Sequence, residues 1–211
     1  MPKPTSPIDI CNLALDRLGQ ASISSIDAPK TQSEDICARH YDTTRREILR
    51  DYIFNFAKKL ATLTIDATFT PDHGFVNAYK LPNDFIRLLA LGDTSINFDV
   101  APNLYDLSEN RILTNQGDNG SLKISYIFDA TQVNHFDTLF LKLFKLRLAA
   151  NMAYKFTLKN TFIDALLKEM ESVQTAAAAV AGQEKPPRRI QRSRLIEVRR
   201  YGSINRDNTR V

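Results

Sequence analysis

The side chains that most often carry catalysis are few in this sequence. The three histidines, His40, His73 and His135, form no H-x-x-x-H or H-x-x-E pattern that would place two metal ligands on one helical turn. The two cysteines, Cys11 and Cys37, lack the C-x-x-C spacing of zinc and redox sites. We therefore expect no metal ion and no cofactor, and we interpret both cysteines as reduced residues of the core.

Motifs for phosphate binding and nucleophilic catalysis do not occur either: the sequence has no G-x-x-x-x-G-K-[ST], G-x-G-x-x-G or G-x-S-x-G. Glu169 and Glu171 are two residues apart in a predicted helix and so point in different directions. Asp84 follows Pro82 at a predicted helix start, where we interpret it as a cap. A glycosidase needs two carboxylates about 5–10 Å apart across a cleft, which spacing alone does not reveal. We expect a protein without enzymatic activity, with a glycan-degrading enzyme as an alternative.

The strongest chemical signal is the arginine-rich C-terminal segment, residues 183–211, which we call the arm. From Gly182 to Val211 there are nine lysines and arginines against three acids, a charge of +6, whereas the whole chain carries +4. Residues 1–181 are therefore mildly acidic, and such asymmetry is typical of an interaction segment. The Pro186-Pro187 pair prevents the preceding helix from continuing into the arm.

Large aliphatic residues interrupt the arginines, which favours a strap that binds protein over a tail that binds only DNA. Both functions are compatible if the arm lines a channel through which DNA passes. We expect the apolar side chains to be buried against a neighbouring subunit, and the arginines to pair with carboxylates or to face DNA. These candidate contact residues are Ile190, Leu195, Ile196, Val198, Tyr201, Arg188, Arg189, Arg192, Arg194, Arg199 and Arg200.

Helical patterns bracket a central region of short strands. Capping boxes at Ser6 and Thr31 predict two helices, the first ending at Gly19 and the second running to about Leu60. Alternating residues from Leu63 onward, with turn signals between them, predict a meander of strands that includes a hairpin around residues 108–110. Helical spacing returns after Asn134 and again from about residue 160 to 182.

The sequence thus predicts an α+β fold: a bundle of four helices with an inserted small antiparallel β domain and an extended C-terminal arm. The predicted boundaries are 1–62 and 132–182 for the two halves of the bundle, 63–131 for the β domain and 183–211 for the arm. The N-terminus lacks the apolar core of a signal peptide, and the longest apolar run is far shorter than a membrane span. We expect no membrane partner.

Several stretches, taken in order, resemble the tail tubular protein A family, the head-to-tail adaptor (connector) proteins of short-tailed bacteriophages. These stretches are NLALDRLGQASISSID, SEDICARHYDTTRREILRDYIFNFAKKLATL, YKLPNDFIRLL, RILTN, LRLAANMAYKFT and AAAAVAGQEKPP. The resemblance spans nearly the whole chain and rests on packing patterns.

The resemblance implies a structural virion protein, made in the host cytoplasm and placed at the phage neck. Its expected partners are its own copies in a ring, usually of twelve, the portal protein, the tail nozzle protein, and packaged DNA that passes through the channel without sequence-specific contacts. A DNA-binding protein that acts through the basic arm is the other alternative.

Overall fold

The computed structural model of the chain describes residues 3–71, 74–92, 94–95, 104–117, 120–156 and 160–183. The chain divides into two units, Met1–Ala181 and Gly182–Val211. Only Gly182 and Gln183 of the second unit are among the described residues, so the arm beyond Gln183 lies outside them.

The first helix, α1 (Pro7–Arg17), begins and ends as the sequence predicts. The Ser6 hydroxyl accepts a hydrogen bond from the Asp9 backbone N–H, and the Asp9 carboxylate accepts one from the Ser6 N–H, which completes the capping box. At the other end Gly19 has a φ of +66°, and the backbone N–H groups of Gly19 and Gln20 donate to Asp16 and Leu15. This pattern is a Schellman motif, in which glycine supplies the left-handed residue.

The second helix, α2 (Gln32–Asp51), starts at its predicted capping box but ends well before Leu60. The prediction of its C-terminus was wrong because the helical spacing of apolar residues continues past residue 51, whereas the helical backbone ends there. Tyr52 is already extended, with φ −119° and ψ 150°. The run of β-branched and aromatic residues from Tyr52 to Phe56 has low helix propensity. A short 3₁₀ turn, Asn55–Ala57, instead directs Phe54 and Phe56 into the core against Phe140.

The β segment begins at Lys58, earlier than the predicted boundary at residue 63. The described part of the segment contains seven strands: β1 (Lys58–Thr64), β2 (Asn77–Lys80), β3 (Phe85–Leu91), β4 (Thr94–Ser95), β5 (Tyr105–Ser108), β6 (Arg111–Thr114) and β7 (Ser121–Phe128). Asp84 precedes a strand, so its interpretation as a helix cap was wrong. The predicted hairpin is confirmed: Glu109 and Asn110, both with positive φ, join β5 to β6 in the two-residue turn that suits twisted strands.

The strands form two antiparallel sheets rather than a simple meander. One has the order β1-β7-β3-β4 and the other β2-β6-β5. The first and last long strands pair along their whole length, from Lys58 opposite Ile127 to Thr64 opposite Ser121. This pairing brings the two ends of the insertion together next to the helices. The two sheets share one apolar core, to which Leu63, Tyr79, Leu88, Leu91, Ile112, Leu122, Ile124 and Tyr126 contribute.

The helices form a separate core around α3 (Thr138–Phe156), which contacts both α1 and α2 and is buried on most of its circumference. The aromatic centre of this core consists of Phe136, Phe140 and Phe144. The ring centroid of Phe140 lies 4.8 Å from that of Phe136 and 5.6 Å from that of Phe144. The last helix, α4 (Asn160–Gln183), adds Leu166 and Val173 to this core. The α+β class, with four helices and two small antiparallel sheets, is confirmed, whereas the four-helix bundle with its arm stays a prediction.

Candidate functional site

All of the arm residues that the sequence singles out, from Arg188 to Tyr201, lie outside the described residues, as does His73. His40 lies on α2 and His135 in a 3₁₀ turn before α3. In the part of the chain that the structure describes, no three His, Cys, Asp or Glu side chains come together as metal ligands would. Cys11 and Cys37 are both free and fully buried, as predicted.

One acid of the pair on α4, Glu169, joins two helices. The Glu169 carboxylate accepts hydrogen bonds from both terminal nitrogens of the Arg17 guanidinium, at 3.0 and 3.4 Å, and so connects α4 to α1. Glu171 is exposed on the same helix. The two carboxylates therefore do not form the facing pair that glycoside hydrolysis requires.

Asp84, Lys59 and Tyr126 form a polar cluster in the β segment. The Asp84 carboxylate accepts a hydrogen bond of 2.9 Å from the Tyr126 hydroxyl and one of 2.7 Å from the Lys59 ammonium. The ammonium also lies 5.3 Å from the centre of the Phe128 ring. Because Asp84 precedes β3 while Lys59 and Tyr126 lie opposite each other on β1 and β7, the cluster joins three strands.

The electrostatics of this cluster favour a structural role. Burial acts to raise the pKa of Asp84, but the hydrogen bonds from Lys59 and Tyr126 outweigh it and keep the pKa below its usual value. The hydrogen bond to Asp84 raises the pKa of Lys59, and burial followed by the same carboxylate raises the pKa of Tyr126. At neutral pH Asp84 is thus an ionised carboxylate whose two oxygens both accept hydrogen bonds, Lys59 is an ammonium and Tyr126 is a neutral phenol. None of the three groups is a free base or an activated nucleophile.

A buried arginine fixes the helices to the β segment. Arg45 is 3% exposed, and its Nη1 donates at 2.6 Å both to the Asp129 carboxylate and to the Ala130 carbonyl oxygen. Its Nη2 donates to Asp42 on the same helix. Since residues 129 and 130 follow β7 directly, α2 is tied to the exit of the β segment. Lysine could not make these divergent contacts, which need the arginine fork.

Arg50 and Arg87 make a second connection at the end of α2. The Arg87 guanidinium donates to the Arg50 carbonyl oxygen at 3.0 Å, and the Arg50 guanidinium donates to the Ile86 carbonyl oxygen at 3.3 Å. A cation at the C-terminal end of a helix is stabilised by the helix dipole. Among the described residues neither guanidinium has a carboxylate partner, so both positive charges remain unneutralised at the junction.

Exposed apolar side chains concentrate on the β segment. Among the side chains that the structure describes, four of the six large exposed ones belong to it: Leu60, which is 82% exposed, Val76, Ile65 and Leu107. The other two are Tyr154 on α3 and Leu167 on α4. The predicted helix running to about Leu60 gave no sign that this side chain is exposed, because Leu60 lies on β1. These side chains are suited to contacts with another protein.

No helix in the described ranges is both long enough and apolar enough to cross a lipid bilayer. Comparison of the chain with models of known protein families gives no match, and no curated protein matches its sequence.

Proposed function

We propose that the protein is a structural adaptor of a short-tailed phage, which forms a ring between the portal and the tail nozzle. The observation that carries the proposal is the layout of the chain. A β segment interrupts a helical core between α2 and α3, and a basic arm follows the last helix. The same order is implied by the resemblance to the tail tubular protein A family.

The contacts of the body support a rigid subunit. Arg45 ties α2 to residues 129 and 130, while Arg50 and Arg87 connect the end of α2 to β3. A subunit with two such connections holds its β segment at a fixed angle to its helices, which repeated contacts around a closed ring require. The exposed apolar residues of the β segment, such as Leu60 and Val76, are available for contacts with neighbouring copies.

The arm supplies the remaining attachment. Its aliphatic residues are too few and too scattered to build a core of their own, so they become buried only against a neighbouring subunit or the portal. Ordering the arm costs conformational entropy at every residue, and burial of its few large apolar side chains opposes that cost. A single arm therefore binds weakly. Many arms around a ring bind strongly, and a subunit that is monomeric alone assembles on its portal template.

Deletion of the arm after Gln183 tests this role. We expect the truncated protein to keep its circular dichroism spectrum and melting transition, because the helical and β cores lie before residue 184. It should fail to bind portal-bearing heads to which the full chain binds. Normal binding by the truncated protein would refute the arm as an attachment device.

The charge of the arm favours a second candidate, a DNA-binding protein. The net charge of +6 between Gly182 and Val211 suits a polyanion. Replacement of the six arginines between Arg188 and Arg200 by glutamine separates the two functions. The adaptor hypothesis predicts impaired binding to heads, whereas loss of duplex DNA binding with normal binding to heads would favour the second candidate.

A further inference from the structure

The topology leaves one long strand of the β segment with an open edge. Strand β1 is the outermost strand of the four-stranded sheet, in which its neighbour is β7. Just beyond the end of β1, the Asp66 backbone N–H donates to the Ala78 carbonyl oxygen on β2. Before that point, the described residues place no strand on the second side of β1.

A backbone hydrogen bond at the end of β1 shows which groups point to this open edge. The Ile65 N–H donates to the Gly120 carbonyl oxygen at 3.1 Å, so these two residues form a hydrogen-bonded pair that continues the register of β1 with β7. Such pairs alternate with non-hydrogen-bonded pairs along an antiparallel ladder. The N–H and C=O groups of Leu60 and Thr62 therefore point away from β7. No backbone partner for these groups lies among the described residues.

The side chain of Leu60 adds an apolar contact to the open edge. It is 82% exposed, although Leu60 lies inside a strand. In the strand register its neighbours across the sheet are Ser125 on β7 and Ala90 on β3, both of which have short side chains. A strand added at this edge would thus pair the backbone groups and cover the exposed leucine.

The other edges of the two sheets are protected. Strand β4 has only two residues, and β2 receives the Asp66 N–H on the side that does not pair with β6. On β5 the Leu107 backbone N–H already donates to the Asp106 carboxylate at 2.7 Å. Because proteins commonly blunt exposed edges in such ways, the open edge of β1 indicates a site where an extended segment docks.

We propose that β1 of one copy receives the arm of a neighbouring copy as an additional antiparallel strand. From residue 188 to residue 201 the arm contains neither proline nor glycine, which would weaken a strand. Within this stretch, residues 194–201 include the β-branched Ile196 and Val198 and the aromatic Tyr201, all of which favour strands. These eight residues match the seven residues of β1 in length.

The arm also has the reach and the charge to bind another body. From Gln183, the last described residue, to Arg194 the chain advances eleven residues, which span at most about 36–40 Å when extended. The segment from Gly182 to Val211 carries +6, whereas residues 1–181 carry a net negative charge. Electrostatic attraction therefore favours the arm of one copy on the body of the next.

One antiparallel register places complementary side chains opposite each other. With Ile196 opposite Leu60, Glu197 falls opposite Lys59, whose side chain is 51% exposed. Glu197 is the only acid from residue 185 to residue 206. Apolar pairs and opposite charges directly across two strands stabilise their pairing. In this register Leu60 and Thr62 each exchange two backbone hydrogen bonds with the added strand, about four in all.

This inference deepens the proposed function, on which it rests for the neighbouring copy that supplies the arm. Two other occupants compete with that arm for the edge: β1 of a second copy, and the arm of the same chain. The experiment below separates all three.

Disulfide cross-linking of the full chain tests the contact, since the native Cys11 and Cys37 are fully buried. Leu60→Cys is mixed with a mass-tagged Ile196→Cys in the presence of oxidised glutathione. Cα atoms of a hydrogen-bonded pair lie about 5.5 Å apart, which a disulfide spans. We expect the heterodimer to form at least about tenfold faster than in a control mixture of Val76→Cys with Ile196→Cys, because docking raises the effective concentration of the two thiols. Val76 is 73% exposed but lies before β2.

A charge at the edge provides a second test. Leu60→Lys introduces the kind of charge with which natural edge strands resist pairing, and Val76→Lys makes the same change away from β1. We expect Leu60→Lys to weaken binding to portal-bearing heads about tenfold and Val76→Lys less than about twofold, because many arms act together in a ring. Melting temperatures establish that both variants are folded.

Equal rates of heterodimer formation in the two mixtures would overturn the inference. Faster formation of homodimers by Leu60→Cys alone would show that two β1 edges pair with each other, and the arm assignment would be wrong. A double variant Leu60→Cys/Ile196→Cys that closed its disulfide only within one chain would place the arm on its own body, which also overturns the inference. If the cross-link were selective while the wild-type protein failed to bind heads, the adaptor function would fail and the contact between the arm and β1 would stand.

Discussion

The guanidinium of Arg45 lies 2.6 Å from the carboxylate of Asp129, in an ion pair that joins α2 to the residues that follow β7. The arginine side chain is 3% exposed, and its Nε is buried without a hydrogen-bond partner among the described residues. A buried charge of this kind is stabilised by its partners, and removal of one partner leaves the other uncompensated. The pair thus holds the helices and the β segment in one arrangement.

We predict that Arg45→Leu lowers the free energy of unfolding by about 3–5 kcal/mol, because Asp129 and the Ala130 carbonyl lose their buried donor. Arg39→Leu, which removes a 70% exposed arginine paired with Asp35, should cost no more than about 1 kcal/mol. Urea unfolding followed by circular dichroism measures both. Equal costs for the two variants would show that the Arg45 contacts do not fix the junction.

The capping box of α2 should make stability depend on pH. Hydrogen bonds from the backbone N–H groups of Lys30 and Thr31 lower the pKa of Glu34 to about 2. This pKa lies below the value of about 4.3 in the unfolded chain. The ionised Glu34 carboxylate therefore stabilises the fold fully above about pH 4.3, and this stabilisation is lost as the pH falls towards 2. Glu34→Gln should therefore be less stable than wild type at pH 7, and the difference should shrink below about pH 4.

Glu171→Gln, at an exposed position of α4, is the control for this pH dependence. Its melting temperature should follow that of the wild type at every pH. A Glu34→Gln difference that stayed constant between neutral pH and pH 2 would contradict the assignment of the stabilisation to the ionised carboxylate.

Gly117 has a φ of +132°, and a Cβ atom at this position would overlap the hydroxyl oxygen of Tyr79. Gly117→Ala should therefore destabilise the protein more than Gly74→Ala, which has a φ of +85° and open space around the new Cβ. Thermal unfolding compares them. Removal of the hydroxyl by Tyr79→Phe should lessen the cost of Gly117→Ala, and an unchanged cost in that background would contradict a contribution from this hydroxyl.

Both cysteines should be protected from thiol reagents in the folded protein. Cys11 and Cys37 are fully buried, and a hydrogen bond that the Cys11 thiol donates to Cys37, together with burial, raises the pKa of the Cys11 thiol. We expect a chromogenic disulfide reagent at mildly alkaline pH to react slowly with the native protein and to release two equivalents of thiolate after unfolding in urea. No thiol in the unfolded protein would reveal a disulfide, and rapid reaction in the native state would contradict the burial.

Local signals allowed the helix starts and the hairpin to be predicted, since capping boxes at Ser6 and Thr31 and the turn at Glu109-Asn110 depend only on neighbouring residues. The end of α2 was mistaken because Tyr52 and Phe56 keep helical spacing, while tertiary contacts of Phe56 with Phe136 and Phe140 decide the conformation of that residue. Pairing of β1 with β7 joins residues about sixty positions apart, which no local pattern specifies. For the same reason no local pattern reveals that Lys58 and Arg87 lie on either side of Ile127.

The number of copies of this protein per portal ring in purified phage particles tests the central claim most directly. Quantitative mass spectrometry of intact particles, with the portal protein as the internal reference, provides that number. The adaptor account predicts a fixed ratio near one copy per portal subunit in every preparation. It also predicts that the protein truncated after Gln183 is missing from purified particles. Absence of the protein from purified particles, or a ratio that falls towards zero as purification proceeds, would contradict the account.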